Sequence, residues 1–129
     1  SMLQMRIQHV ALSVRDIAAS GPWYQALFGF QQVAEFADPP LEIYLTPDGQ
    51  ALDLRQDPDV VDEPFTQTRV GLDHLAFVCL DRADLDAWLA RLAELGIANS
   101  GIEQSPFGLH VNFRDPDGIA LEFYLPATA

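Results

Sequence analysis

The sequence predicts an α+β fold of two βαβββ modules, whose strands form a curved, barrel-like, eight-stranded mixed sheet with the helices outside. Three observations predict it. A short alternating run with histidine in third place occurs twice, as "IQHVALSV" from Ile7 and "LDHLAFVC" from Leu72. Each run is followed by a helix-like stretch that ends at a glycine, Gly29 or Gly96. Each half then closes on a Pro-Asp-Gly turn and a strand that carries one carboxylate: "TPDGQALDL" with Asp53, and "DPDGIALEFY" with Glu122.

The elements follow in order. The two histidine-bearing runs are β-prone and alternate with period two, so they are equivalent strands. In "LDRADLDAWLARLAELGI" the residues Leu85, Trp88, Leu89, Leu92 and Leu95 recur at helical spacing. In "RDIAASGPWYQALFGF" the pair Gly21-Pro22 weakens the start and is expected to delay the helix to the following turn. Gly29 and Gly96 suit helix C-caps. Beyond the first helix come "QQVAEFA", "LEIYLT" and "ALDLRQ", punctuated by Asp38-Pro39-Pro40 and Pro47-Asp48-Gly49. The second half repeats this with "IANSGIEQS", "LHVNFR" and "ALEFYL". The segment "DPDVVDEPFTQTRVG" between the halves is acidic, holds two prolines and has no periodicity, which reads as a linker. The expected modules are 5–57 and 70–126, within a single domain 5–126.

Composition removes several function classes. The chain has 129 residues, 49% of them hydrophobic, which fits one compact domain. Its net charge is −12, its seven basic residues are all Arg, and Lys is absent. The positive footprint needed to neutralise phosphates is missing, so neither nucleic acid nor an anionic membrane is expected as a partner. No stretch approaches the roughly 20 apolar residues of a membrane helix. Ser1-Met2 reads as an expression remnant rather than a signal peptide, and a cytoplasmic location is expected. Cys79, alone of its kind, excludes an internal disulfide and is expected to be a buried, inert thiol.

Period-two arithmetic gathers the candidate site. His9 lies opposite Val10 and Leu12, Asp53 opposite Leu52 and Leu54, His74 opposite Leu75 and Phe77, and Glu122 opposite Leu121 and Phe123. The apolar faces are expected to pack on the helices, and sheets that curve toward each other would bring the four polar residues into one cavity. Any one of them alone reads more simply as a hydrogen-bonded or solvated strand residue. Together, two imidazoles and two carboxylates suit a divalent ion such as Zn, Ni, Co, Mn or Fe(II). Asp53, one methylene shorter than Glu, binds either directly or through water. The same parity places Arg55 and Tyr124 on the cavity side, with His110 and Asn112 as further cavity residues. Arg55 could anchor a substrate carboxylate, and its counter-reading is a solvated strand-end Arg. The repeat counterparts of His110 and Asn112 are Leu41 and Ile43, so one wall is polar and the other apolar, which suits a small organic substrate.

The duplicated plan, the two strand histidines and the ending "FRDPDGIALEF" resemble the vicinal oxygen chelate superfamily, over Ile7 to Leu125. That superfamily includes glyoxalase I, bleomycin-resistance proteins, extradiol dioxygenases, fosfomycin-resistance enzymes and methylmalonyl-CoA epimerase. The resemblance implies metal ligands from the first and last strands of each module, here His9, Asp53, His74 and Glu122, with Asp53 departing from the usual Glu or Gln. Ring-cleaving members have a tyrosine ten residues before the ligand Glu, where this chain has Asn112, and His110 does not match their upstream histidine. Members that handle anionic substrates use Lys and Arg clusters, which a chain without Lys lacks. Metal-free binders of the bleomycin-resistance type generally lack the ligand set.

The chemistry implied first is therefore glyoxalase-like, a lyase or isomerase reaction. Two vicinal substrate oxygens chelate the ion, an enolate is stabilised electrostatically, and a carboxylate moves the proton, Glu122 first and Asp53 second. Metal-free antibiotic binding is the alternative, extradiol ring cleavage the third reading, and a homodimer is expected.

Overall fold

The computed structural model describes residues 2–128; of the Ser1-Met2 pair, Ser1 lies outside them. Eight strands and two helices follow one another as β1 (His9–Ser13), α1 (Ile17–Phe28), β2 (Gln31–Ala37), β3 (Pro40–Leu45), β4 (Ala51–Arg55), β5 (Leu75–Val78), α2 (Arg82–Glu94), β6 (Glu103–Ser105), β7 (Gly108–Arg114) and β8 (Ala120–Pro126). This is βαβββ twice. The strands fall into two open four-stranded sheets, ordered β1-β4-β3-β2 and β5-β8-β7-β6. In each, the first strand pairs parallel with the last, and the remaining pairs are antiparallel. The chain divides into two compact units between Asp62 and Glu63, inside the expected linker.

In the first unit Val14, Tyr24, Leu27, Tyr44, Leu52 and Leu54 are buried, with α1 lying against β3 and β4. Burial and the nearby Glu42 carboxylate, which accepts the Tyr44 hydroxyl at 2.7 Å, push the Tyr44 phenol above its ordinary range. The first helix corrects the expectation of a delayed start: α1 begins at Ile17 and runs through Gly21 and Pro22. Asp16 explains this. Its side chain caps Ala18 N at 3.1 Å and its carbonyl accepts from Ser20 N at 3.0 Å, so the first turn is closed before the proline is reached. Gly21 is buried, and a Cβ there would meet the Glu42 carboxylate. Gly29, at φ 65°, closes the C-terminus by donating to Gln25 O at 2.8 Å.

In the second unit Leu85, Leu92, Val111, Leu121 and Phe123 are buried. Trp88 stacks on Phe123 at 4.6 Å and thereby seats α2 on β8. Asp81 caps α2 through Asp84 N at 2.9 Å. Leu95, expected on the buried stripe, is exposed because the helix ends at Glu94 and Leu95 is its C-cap. Cys79 is buried, which pushes its thiol up.

Three strands are shorter than their sequence runs. β1 starts at His9 because the Ile7 and Gln8 carbonyls are taken by the Gln50 side chain, at 3.3 and 2.8 Å, instead of by a ladder partner. β5 starts at Leu75, so His74 stands one residue ahead of its strand. "IANSGIEQS" yields only Glu103–Ser105 and a single bridge at Asn99 to Phe113. Gly101, at φ 70° with its N–H held by Asn99 Oδ1 at 2.8 Å, turns the chain between them.

Candidate functional site

The two Pro-Asp-Gly turns are built alike and set the position of each carboxylate. Gly49 donates to Thr46 O and Gly118 to Asp115 O, each at 2.9 Å, and both glycines have positive φ, 86° and 82°. Asp53 and Glu122 each follow their glycine by four residues, so both leave the turn on the same side of the pleat. The second turn is the more firmly held. Buried Asp115 accepts from Asp117 N at 2.9 Å and Ile119 N at 2.8 Å, and Arg114 donates to Gly118 O at 2.7 Å.

On the first unit's sheet, register pairs Ala11 with Asp53 and Asp53 with Ile43, while His9 stands beside Ala51 and Ser13 beside Arg55. His9, Asp53 and Arg55 thus share the face away from Leu52 and Leu54. Asp53 Oδ1 is buried without a hydrogen-bond partner among the described residues, its cross-strand neighbours being an alanine and an isoleucine. His9 is exposed, and its Nδ1 meets the side-chain oxygen of Gln8. Arg55 is half-exposed at the strand end, 3.7 Å from Asp57.

On the second unit's sheet the polar residues are closer together. His74 Nε2 lies 3.8 Å from Glu122 Oε1, with the imidazole half-exposed and the carboxylate side chain only 13% exposed. The other ring nitrogen, Nδ1, contacts Asp73 Oδ1 at 2.7 Å. Register sets Asn112 beside Glu122 and His110 beside Tyr124. His110 Nδ1 is 3.3 Å from Asn112 Nδ2, and its ring stacks parallel to Tyr124 at 6.1 Å. His74, Glu122, Asn112, Asp73, Asn99 and Arg114 are among the residues lining an open recess of roughly 670 Å3. His110 and Tyr124 lie further along the same face.

The donor types fit a divalent ion. Each unit supplies one imidazole and one carboxylate on one sheet face. The 3.8 Å between His74 Nε2 and Glu122 Oε1 is too long for a hydrogen bond, so neither atom is taken up by the other. The orphaned Asp53 oxygen has the desolvation cost that a cation would relieve. Among the described residues no three His, Cys, Asp or Glu side chains stand together as a ready metal cluster. Sequence reasoning missed Asp73, Gln8 and Asn99. The first two were marked by standing next to the histidines, whereas Asn99 enters only through its isolated bridge to β7.

The profile of the Glyoxalase/Bleomycin resistance protein/Dioxygenase superfamily matches residues 6–123. Catechol-2,3-dioxygenase of Bacillus subtilis is 36% identical over 92% of this chain, which spans only 40% of that enzyme's length. A glyoxylase/bleomycin resistance protein/dioxygenase domain from Frankia sp. EAN1pec superposes with a TM-score of 0.89 at 34% identity, over 97% of this chain and 100% of that one. Lactoylglutathione lyase from Agrobacterium tumefaciens superposes with a TM-score of 0.75 at 25% identity, over 95% and 94% of the two chains.

Proposed function

We propose, from the premise that this chain belongs to the Glyoxalase/Bleomycin resistance protein/Dioxygenase superfamily, that it is a divalent-metal-dependent lyase or isomerase acting on a small molecule with two vicinal oxygens. The observation that carries this reading is Glu122, a carboxylate turned in from solvent with an imidazole nitrogen 3.8 Å away, on a polar recess. His74 and Glu122 supply ligands from one unit, and His9 and Asp53 the equivalent positions of the other. The ion, when bound, polarises the substrate's oxygens and lowers the cost of charge that develops on them.

The chain's own residues do the rest. Glu122, the longer carboxylate, takes a proton from the substrate carbon and returns it to the neighbouring one, with Asp53 the alternative base. Asn112, beside Glu122 in register, offers an amide to a substrate oxygen. Arg55 anchors a substrate carboxylate, and His110 with Tyr124 forms an aromatic wall. The protein works as a homodimer in the cytoplasm. No helix among the described residues is long and apolar enough to cross a membrane.

The test is elemental analysis of protein purified without chelators, followed by reconstitution with Ni, Zn, Mn, Co and Fe(II). Stoichiometric uptake of one of these ions is expected. Glu122→Gln should weaken that uptake and abolish solvent-deuterium exchange into α-hydroxycarbonyl or thiohemiacetal substrates. His9→Ala and His74→Ala should both lose the metal. Absence of binding by any of these ions would replace this reading with metal-free small-molecule binding. The similarity to the Bacillus catechol-2,3-dioxygenase favours a second reading, ring cleavage with Fe(II), for which catechol-dependent oxygen uptake is the assay.

A further inference from the structure

The geometry points to Asp73 as a positioning residue that fixes which nitrogen of His74 is free to bind an ion. Asp73 Oδ1 lies 2.7 Å from His74 Nδ1. An ionised carboxylate has no hydrogen to donate, so in the neutral imidazole Nδ1 must carry the proton and Nε2 must keep its lone pair. Nε2 is the nitrogen that stands 3.8 Å from Glu122 Oε1. The contact therefore selects the tautomer that presents an acceptor nitrogen toward the Glu122 carboxylate. Without Asp73 the ring could instead place its proton on Nε2 and donate toward Glu122, and the two groups would then satisfy each other rather than an ion.

The local chain geometry permits the contact. Successive residues in a strand point to opposite faces, so neighbours rarely bond side chain to side chain there. Asp73 and His74 both precede β5, which begins at Leu75, and so escape the pleat. The first unit repeats the device. Gln8 stands just ahead of β1, its carbonyl is held by Gln50 at 2.8 Å, and its side-chain oxygen meets His9 Nδ1. The two are not equal. Asp73 offers a full charge, which holds the Nδ1 proton of His74 more firmly, whereas Gln8 offers only an amide oxygen.

The consequence for metal affinity rests on the function proposed above, but the tautomer does not, and the two are measured separately. Imidazole nitrogen shifts of the 15N-labelled, metal-free full chain, recorded at about pH 9, above the ordinary imidazole pKa of about 6.5, report the tautomer directly. The expected pattern for His74 is a protonated Nδ1 and an unprotonated Nε2. Asp73→Ala should move it toward the opposite tautomer and lower zinc affinity about 10- to 100-fold in a competition titration. Asp73→Asn, which keeps a side-chain oxygen acceptor, should retain the wild-type pattern and most of the affinity.

A wild-type His74 protonated on Nε2, or an Asp73→Ala pattern identical to wild type, overturns the inference, even if zinc binds and the metal reading survives. The expected tautomer shift in a protein that takes up none of Ni, Zn, Mn, Co and Fe(II) supports the positioning role and counts against the metal reading alone.

Discussion

Asp53 and Glu122 occupy equivalent places but different surroundings, and the difference is set by single neighbours. Glu122 has Asn112 and the His74 ring beside it, whereas Asp53 lies between Ala11 and Ile43 with one oxygen buried and unpartnered. An unmet buried acceptor costs about 1–3 kcal/mol. A residue retained at that cost without a structural return is a candidate for ligand binding. Asp53→Val, which suits a strand and matches the apolar neighbours, should therefore raise the thermal midpoint of chelator-treated protein by several degrees, about 1 kcal/mol. The same variant should reduce metal uptake. A lower midpoint in calorimetry would mean that Asp53 has a structural partner after all.

At the scale of elements, the decisive feature of the second sheet is the joint between β6 and β7. Gly108 has φ 148°, and a Cβ there would lie 2.1 Å from Leu125 O and 2.9 Å from Ala127 N, both backbone atoms of the β8 end. Backbone cannot swing aside as a side chain can, and the Ala127 N–H is already held by Phe107 O at 2.8 Å. Gly108→Ala should cost about 1–3 kcal/mol from overpacking and strain, read as a lower midpoint in thermal or urea unfolding. Gly101 is the control. It too has positive φ, 70°, but nothing lies within 4 Å of its added Cβ, so Gly101→Asn, which tolerates the left-handed region, should change stability far less. Equal losses at the two positions would show that conformation alone, and not the close approach to β8, sets the requirement for glycine.

At the scale of the whole molecule, each four-stranded sheet ends in two edge strands, β1 and β2 in one, β5 and β6 in the other. Val33 and Phe36 on β2 and Val78 on β5 are exposed. Exposed edges and apolar residues of this kind favour pairing, while a net charge of −12 opposes it. The proposed homodimer should accordingly strengthen as salt screens that charge. Sedimentation equilibrium at rising protein concentration and at two ionic strengths measures this, and a concentration-independent monomer in both would refute the dimer.

The sequence by itself determined the duplicated order of elements, the turns, and the side of the pleat on which His9, Asp53 and Glu122 stand. These depend on period, on Pro-Asp-Gly chemistry and on alternation, all of which are local. It could not determine that α1 starts at Ile17 despite Pro22, because the Asp16 cap and the packing of Tyr24 and Leu27 outweigh the proline. Nor could it determine that the Gln50 side chain shortens β1, that Asn99 joins the recess through one bridge, or that Asp53 Oδ1 is left without a partner. Those features were decided by tertiary structure, because register and packing set which residue stands beside which across strands far apart in the chain.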